Sequence, residues 1–201
     1  SFRAGADFSG NIRLGQHELG CAGDLLWYII RLMLVVMDGQ LPTHLRGVFT
    51  ETGDKYGGLK ELPAETHNWF EYPNGRVFSA YSSFGTAFSE DVTIYGTDGS
   101  VRMNDFVLPD LGGWLSFELR NRELTSGDER KPIPHVQYCS VQEREQGRPD
   151  SQDSRLLDCF SQLVLGGTPD TSWPALTLAT QKIVDKVFEA ARTGERVQVA
   201  A

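Results

Sequence analysis

The chain has 201 residues, of which 40% are hydrophobic, 23% charged and 10% aromatic. This is the make-up of a soluble globular protein that buries roughly 70% of its unfolded surface without staples, and it excludes disordered and collagen-like chains. Asp and Glu number 27 against 19 Lys and Arg, a net charge of −8, which argues against nucleic acid and anionic membrane as main partners. Cys21, Cys139 and Cys159 are an odd count with no C-x-x-C. A disulfide framework and a zinc ribbon are therefore disfavoured, and a reducing compartment, the cytoplasm, is expected. His17, His44, His67 and His135 have no ligand spacing, so no metal is expected.

In chain order, the N-terminus carries no signal-peptide hydrophobic region, and residues 1–15 read as a polar, glycine-containing loop. The longest apolar run, Leu25 to Met37, contains Arg31. It falls short of the roughly 20 residues a membrane span needs, so it reads as a buried helix over 20–38. Gly39 would close that helix and Pro42 would block its continuation. Residues 53–64 read as an exposed loop; Gly53 to Lys60 lacks the Gly-Lys-Ser/Thr ending of a phosphate loop. Thr66–Tyr72 and Arg76–Phe84 read as strands around the turn Pro73-Asn74-Gly75. Val92–Tyr95 and Ser100–Met103 flank a second turn at Thr97-Asp98-Gly99. Trp114–Leu119 and His135–Val141 are further strands, and 142–150 a loop.

Two amphipathic helices follow. Leu156, Leu157, Phe160, Leu163 and Val164 form one stripe, stopped at Gly166-Gly167. Leu176, Ala179, Ile183, Val187 and Ala190 form the other, with Pro174 in its first turn and Gly194 at its end. Val197-Gln198-Val199 would add a last strand. Neighbouring strands joined by tight turns predict an α+β fold. Its sheet would be open-faced, mixed but predominantly antiparallel, with about three helices packed on one face, and 1–201 would form one domain. No G-x-G-x-x-G run sits between a strand and a helix.

The stretch with most chemistry is Gly20 to Arg31. Asp24, Tyr28 and Arg31 stand at i, i+4 and i+7, on one face of a helix otherwise apolar. A phenol flanked by a carboxylate and a guanidinium can exchange a proton with a substrate hydroxyl. With an ordinary pKa of about 10, it needs a nearby positive charge to act as base at neutral pH, and Arg31 is the available one. A purely structural reading stands beside this. Asp24 favours a helix start, Arg31 pairs within the core and Tyr28 packs. Spacing alone does not choose between them. Cys21 reads as packed rather than reactive, and Ser82, Ser83 and Phe84 as the end of a strand.

The same stretch resembles the helix-opening motif of the Gfo/Idh/MocA oxidoreductases, and more narrowly the branch with dimeric dihydrodiol dehydrogenase and D-xylose dehydrogenase. That branch reads Gly-x-x-Gly-Asp-x-Gly-x-Tyr, and Gly20, Gly23, Asp24, Tyr28 and Arg31 fall on matching positions. Asn11-Ile12-Arg13, Tyr95-Gly96-Thr97-Asp98-Gly99-Ser100, Asn104 to Pro109, and Trp173-Pro174 with Thr180-Gln181 and Val184-Asp185 are similar too. The resemblance implies that the chain is the substrate-binding and dimerisation part of an NAD- or NADP-dependent enzyme. The Rossmann domain, with its Glu-Lys-Pro motif, would be missing from it. Tyr28 would move the proton while hydride passes between nicotinamide and a sugar, polyol or trans-dihydrodiol. Asp24 would orient substrate or Tyr28, and Arg31, Trp27, Asn11 and Arg13 would line the pocket. The isolated chain is expected to be inactive.

One position departs from the motif: the family's glycine between Asp and Tyr is Leu26. Its side chain either stands near the cofactor cleft or turns into the core. A catalytically silent module that keeps the fold for binding or assembly is therefore the rival reading. The resemblance also implies a homodimer through the open sheet face. Trp69, Phe70, Tyr72, Phe78, Tyr81 and Phe84 supply aromatics on both alternating sets of the two strands. Alternatively Thr66, Asn68, Ser79 and Ser83 line up to make that face polar.

Overall fold

The computed structural model describes residues 2–3, 19–53, 59–107, 114–124, 132–142, 148–149 and 151–199. They fall into two compact units, Ser1–Ser89 with Thr171–Ala201, and Glu90–Asp170. The class is α+β and the strand pairing is predominantly antiparallel, as expected, with the strands divided between two sheets.

The first unit is built on strands β1 (Phe2–Arg3), β2 (His44–Gly53), β3 (Leu59–Glu71), β4 (Val77–Ser83) and β9 (Val197–Gln198). Their order is β1-β4-β3-β2-β9, with only the β1–β4 pair parallel. Between β3 and β4 the turn at Pro73-Asn74-Gly75 uses two left-handed residues, Asn74 at φ 65° and Gly75 at φ 74°. Strand β2 was not anticipated, and β3 begins at Leu59, inside the segment read as a loop.

Period-two alternation gives this sheet two distinct faces. Leu45, Gly47 and Phe49 of β2 share one with Thr66, Asn68 and Phe70 of β3 and Phe78, Ala80 and Ser82 of β4. Helices α1 (Gly20–Val36) and α3 (Ser172–Thr193) cover this face. Leu25, Leu26, Ile30, Met33 and Leu34 of α1 and Ile183, Val184 and Val187 of α3 are fully buried. Each such side chain contributes about 1.5–3 kcal/mol over its exposed state. Gly47 is where the layers come closest: a Cβ there would lie 2.9 Å from Asn68 Oδ1 and 3.2 Å from the Val187 carbonyl oxygen. Phe49 meets Phe188 edge-on at 5.0 Å.

The aromatics separate by face. Phe70 and Phe78 lie on the helix side with ring centroids 6.2 Å apart, and Tyr72 and Phe84 are buried. Trp69 and Tyr81 stand on the opposite, open face. Thr66 and Asn68, read as possible surface residues, are buried under the helices, where Asn68 Nδ2 donates to Thr66 Oγ1 at 2.8 Å.

The second unit carries an antiparallel meander, β5 (Val92–Tyr95), β6 (Gly99–Met103), β7 (Trp114–Leu124) and β8 (Pro132–Gln142), in that order. Helix α2 (Gln152–Gly166) is capped by Ser151, whose Oγ accepts the Ser154 N–H at 3.3 Å, and closed by left-handed Gly167. Its apolar stripe was expected to pack on a sheet, yet no residue of α2 is buried, and Leu156, Leu157, Phe160 and Val164 are exposed. Periodicity records which helix face is apolar, not what lies against it. Among the described residues, no helix is long and apolar enough to cross a membrane.

Candidate functional site

Helix α1 opens at Gly20, whose φ of +57° is left-handed and whose missing side chain leaves room for the backbone of Pro63. Its first turn is tied to the sheet. The Cys21 thiol donates to the Ser82 carbonyl of β4 at 3.7 Å, and burial pushes its pKa up to about 12. Cys21 is thus a packed, protonated group, unsuited to act as a nucleophile.

The buried residues of α1, from Gly20 to Leu34, occupy a wide arc of the helix. What remains outside is a narrow strip: Gly23 and Asp24, Trp27 and Tyr28, Arg31 and Leu32, and Val35 and Val36. The i, i+4, i+7 spacing therefore does bring the three expected residues to one face, and that face is turned away from the sheet. Asp24 and Arg31 are half-buried, and Tyr28 is 46% exposed. Trp27 is half-buried beside them. Leu26 is 0% exposed, so of its two possible orientations it takes the one into the core, on the side of α1 away from Tyr28. Asn11, Arg13 and His17 lie outside the described residues.

Arg31 is not a free cation awaiting a ligand. One guanidinium nitrogen donates to Thr177 Oγ1 of α3 at 3.3 Å, and its Cζ sits 5.7 Å from the centre of the Trp173 ring. Thr177 Oγ1 in turn donates to the Trp173 carbonyl at 2.9 Å. Trp173 itself is 53% exposed. The face that local spacing assigned to α1 alone is thus shared by α1 and the first turns of α3. Sequence reasoning noted Trp173 as a motif residue and gave it no role, because its partner lies far away in the chain.

A second polar constellation, not anticipated, sits on the open face of the five-stranded sheet. The Glu65 carboxylate accepts hydrogen bonds from Tyr81 Oη at 2.6 Å, Thr50 Oγ1 at 2.7 Å and Ser83 Oγ at 3.1 Å. His67 Nε2 lies 3.7 Å from it, and the His67 ring packs on Tyr81 at 4.5 Å. Burial alone would raise the Glu65 pKa; the three hydroxyls and His67 together outweigh it and hold the carboxyl below its ordinary value. Burial and the bond to Glu65 push the Tyr81 phenol up, so it stays a donor. Cross-strand pairing of Glu65 with Ser83 and of His67 with Tyr81 creates the cluster, and that pairing becomes visible only once the register is known. These bonds make the cluster a staple across β2, β3 and β4. Among the described residues, no group of His, Cys, Asp and Glu is placed to hold a metal ion.

No protein-family profile matches the chain. Solved structures do. An aldose–aldose oxidoreductase from Caulobacter crescentus, complexed with glycerol, aligns over 98% of this chain and 52% of its own, at 17% identity and a TM-score of 0.67. A 3-ketoreductase from Actinomadura kijaniata, in complex with NADP and TDP-benzene, aligns over 94% and 51%, at 17% identity and a TM-score of 0.73. A levoglucosan dehydrogenase, in complex with NADH and levoglucosan, aligns over 100% and 57%, at 15% identity and a TM-score of 0.70. The likeness is one of fold, and the chain spans about half the length of these oxidoreductases.

Proposed function

We propose that the chain is the substrate-binding part of an NAD(P)-dependent oxidoreductase of the Gfo/Idh/MocA type, acting on a sugar, polyol or trans-dihydrodiol hydroxyl. The observation that carries this reading is the exposed strip of α1. On a fold shared along the whole chain with sugar-related oxidoreductases, Tyr28 is the group left facing outward beside Asp24. The Tyr28 phenol would take the proton from the reacting hydroxyl oxygen in one direction and return it in the other. Asp24, one turn earlier on the same face, would orient that hydroxyl or the phenol. The nicotinamide, when bound, supplies the hydride acceptor or donor. Among the described residues no glycine-rich turn joins a strand to a helix to hold its pyrophosphate, so we assign that task to a nucleotide-binding segment outside this chain. Leu26 is buried in the core, away from Tyr28, which supports the catalytic reading over the silent module.

The reading includes a homodimer through the open sheet face, on which Trp69, Val48 and Val77 are exposed. Expression of the complete reading frame tests the catalytic part, with NAD(P)H formation followed over a panel of sugars, polyols and dihydrodiols. Tyr28→Phe is expected to lower kcat about a hundredfold to a thousandfold with little change in KM. Undiminished turnover by that variant refutes the assignment; no turnover with any substrate by the unmodified protein favours the silent module.

A further inference from the structure

We propose that Trp173 of α3, held by Arg31 and Thr177, is the stacking platform against which a sugar ring is placed beside Tyr28, so that specificity for a ring over an open chain is set by α3. This rests on the oxidoreductase reading and adds to it a residue that α1 alone does not supply.

Three contacts form a closed loop. The Arg31 guanidinium donates to Thr177 Oγ1, Thr177 Oγ1 donates to the Trp173 carbonyl, and the guanidinium lies 5.7 Å from the Trp173 ring centre. An indole on the first turn of a helix, more than half exposed, ordinarily samples several rotamers. Here a guanidinium over the ring, itself held by the Thr177 hydroxyl, favours one placement of the indole before any ligand arrives. Pre-organisation of this kind removes part of the ordering cost of binding.

The chemistry of the three groups defines the ligand. An aromatic face accepts the C–H-bearing face of a saturated ring. A guanidinium has five N–H donors, of which Thr177 takes one, and donates to vicinal hydroxyls as readily as to carboxylates. Tyr28 lies one helical turn from Arg31 on the same face and is also exposed. Helix spacing puts Tyr28 and Arg31 about 5–6 Å apart at Cβ, so the row Tyr28–Arg31–Trp173 spans on the order of 10 Å. One polyhydroxylated ring fits that length, with its reacting hydroxyl at the Tyr28 end and its apolar face at the Trp173 end. All four residues belong to the same compact unit.

The experiment is a titration of the chain with levoglucosan and with D-glucose, read by NMR at the indole N–H resonances of Trp27, Trp69, Trp114 and Trp173. Single Trp→Phe variants assign them. The Trp173 signal is expected to move with ligand and the Trp114 signal to stay. Trp173→Leu and Arg31→Met are expected to weaken the apparent affinity about tenfold, as the loss of one aromatic contact does, while Trp173→Phe retains most of it. Trp173 is exposed, so a thermal melt of the Leu variant should match the wild type and exclude misfolding as the cause. If sugar shifts signals around Tyr28 and Trp173→Leu binds as tightly as wild type, the platform is wrong and the oxidoreductase reading survives. If neither sugar moves any resonance, the platform falls together with the assignment of this face to sugars.

Discussion

Removing the charge of Glu65 should loosen the first unit in a way that depends on pH. Its carboxylate, on β3, gathers three hydroxyl donors from the two flanking strands, Thr50 on β2 and Tyr81 and Ser83 on β4. Its side chain is 22% exposed, so water competes for the acceptor sites without displacing the donors. A hydrogen bond to a charged group contributes about 1.5–3 kcal/mol. Glu65→Gln keeps one oxygen as acceptor and lets the hydroxyls turn toward solvent, so the expected net loss is about 1–2 kcal/mol rather than the sum of three bonds. For a chain of this size that is a fall in Tm of about 2–8 °C. The folded pKa of Glu65 lies below its ordinary value of 4.5. Its contribution is therefore fully present above that value and lost as pH falls through the folded pKa. Thermal or urea unfolding of wild type and Glu65→Gln, measured from neutral pH downward, should show a gap that narrows as pH drops below about 4.5. A Tyr81→Phe cycle should give a coupling of about 1 kcal/mol with Glu65→Gln. Equal stability at neutral pH, or a gap that stays constant into acid, would show that the staple is idle.

Leu26→Ala is expected to cost about 2–5 kcal/mol in unfolding experiments, because Leu26 is fully buried; an unchanged midpoint would contradict its place in the core. Gly20→Ala should destabilise by more than about 1 kcal/mol, since φ is +57° and the added methyl would press into the Pro63 carbonyl oxygen. The isolated chain should not reduce NAD(P) with sugars or dihydrodiols, as holding hydride donor and acceptor together is worth about 7–11 kcal/mol of barrier; turnover abolished by Tyr28→Phe would overturn this. Sedimentation at micromolar concentration should find a dimer that Trp69→Lys dissociates, and a clean monomer would remove the open-face interface.

Hairpins and helix ends were legible because they depend on backbone conformations that few residues adopt. Asn74, Gly75, Gly167 and Gly194 all have positive φ, and each marks a boundary that local composition revealed. Strand β2 was obscured by Gly47, a poor strand former locally, required because Asn68 and α3 crowd the position from across the sheet. Thr66 and Asn68 looked like surface residues because the bond between them, which makes their burial tolerable, joins side chains two apart on one strand face. In the candidate site, Asp24, Tyr28 and Arg31 were legible from helical period alone. The roles of Thr177 and Trp173 were not, since they meet Arg31 only after β2, β3 and β4 have placed α3 beside α1.

The division of the chain carries a consequence for folding order. The first unit is interrupted: Glu90–Asp170 stands between β4 and α3, although α3 supplies Ile183, Val184 and Val187 to the core under β2. During synthesis, the sheet β2–β3–β4 emerges with α1 on part of one face and waits for the whole of 90–170 before its second helix exists. The meander β5–β8, in which each strand pairs with its neighbour in sequence, has no such wait. Loop-closure entropy penalises the delay mildly, about 0.6 kcal/mol for each doubling of the intervening length. The greater exposure is kinetic, because a half-covered apolar sheet face is the surface on which nascent chains associate. A chain in which residues 90–170 are replaced by a short Gly/Ser linker should therefore refold faster and aggregate less while keeping the α1–α3 pair.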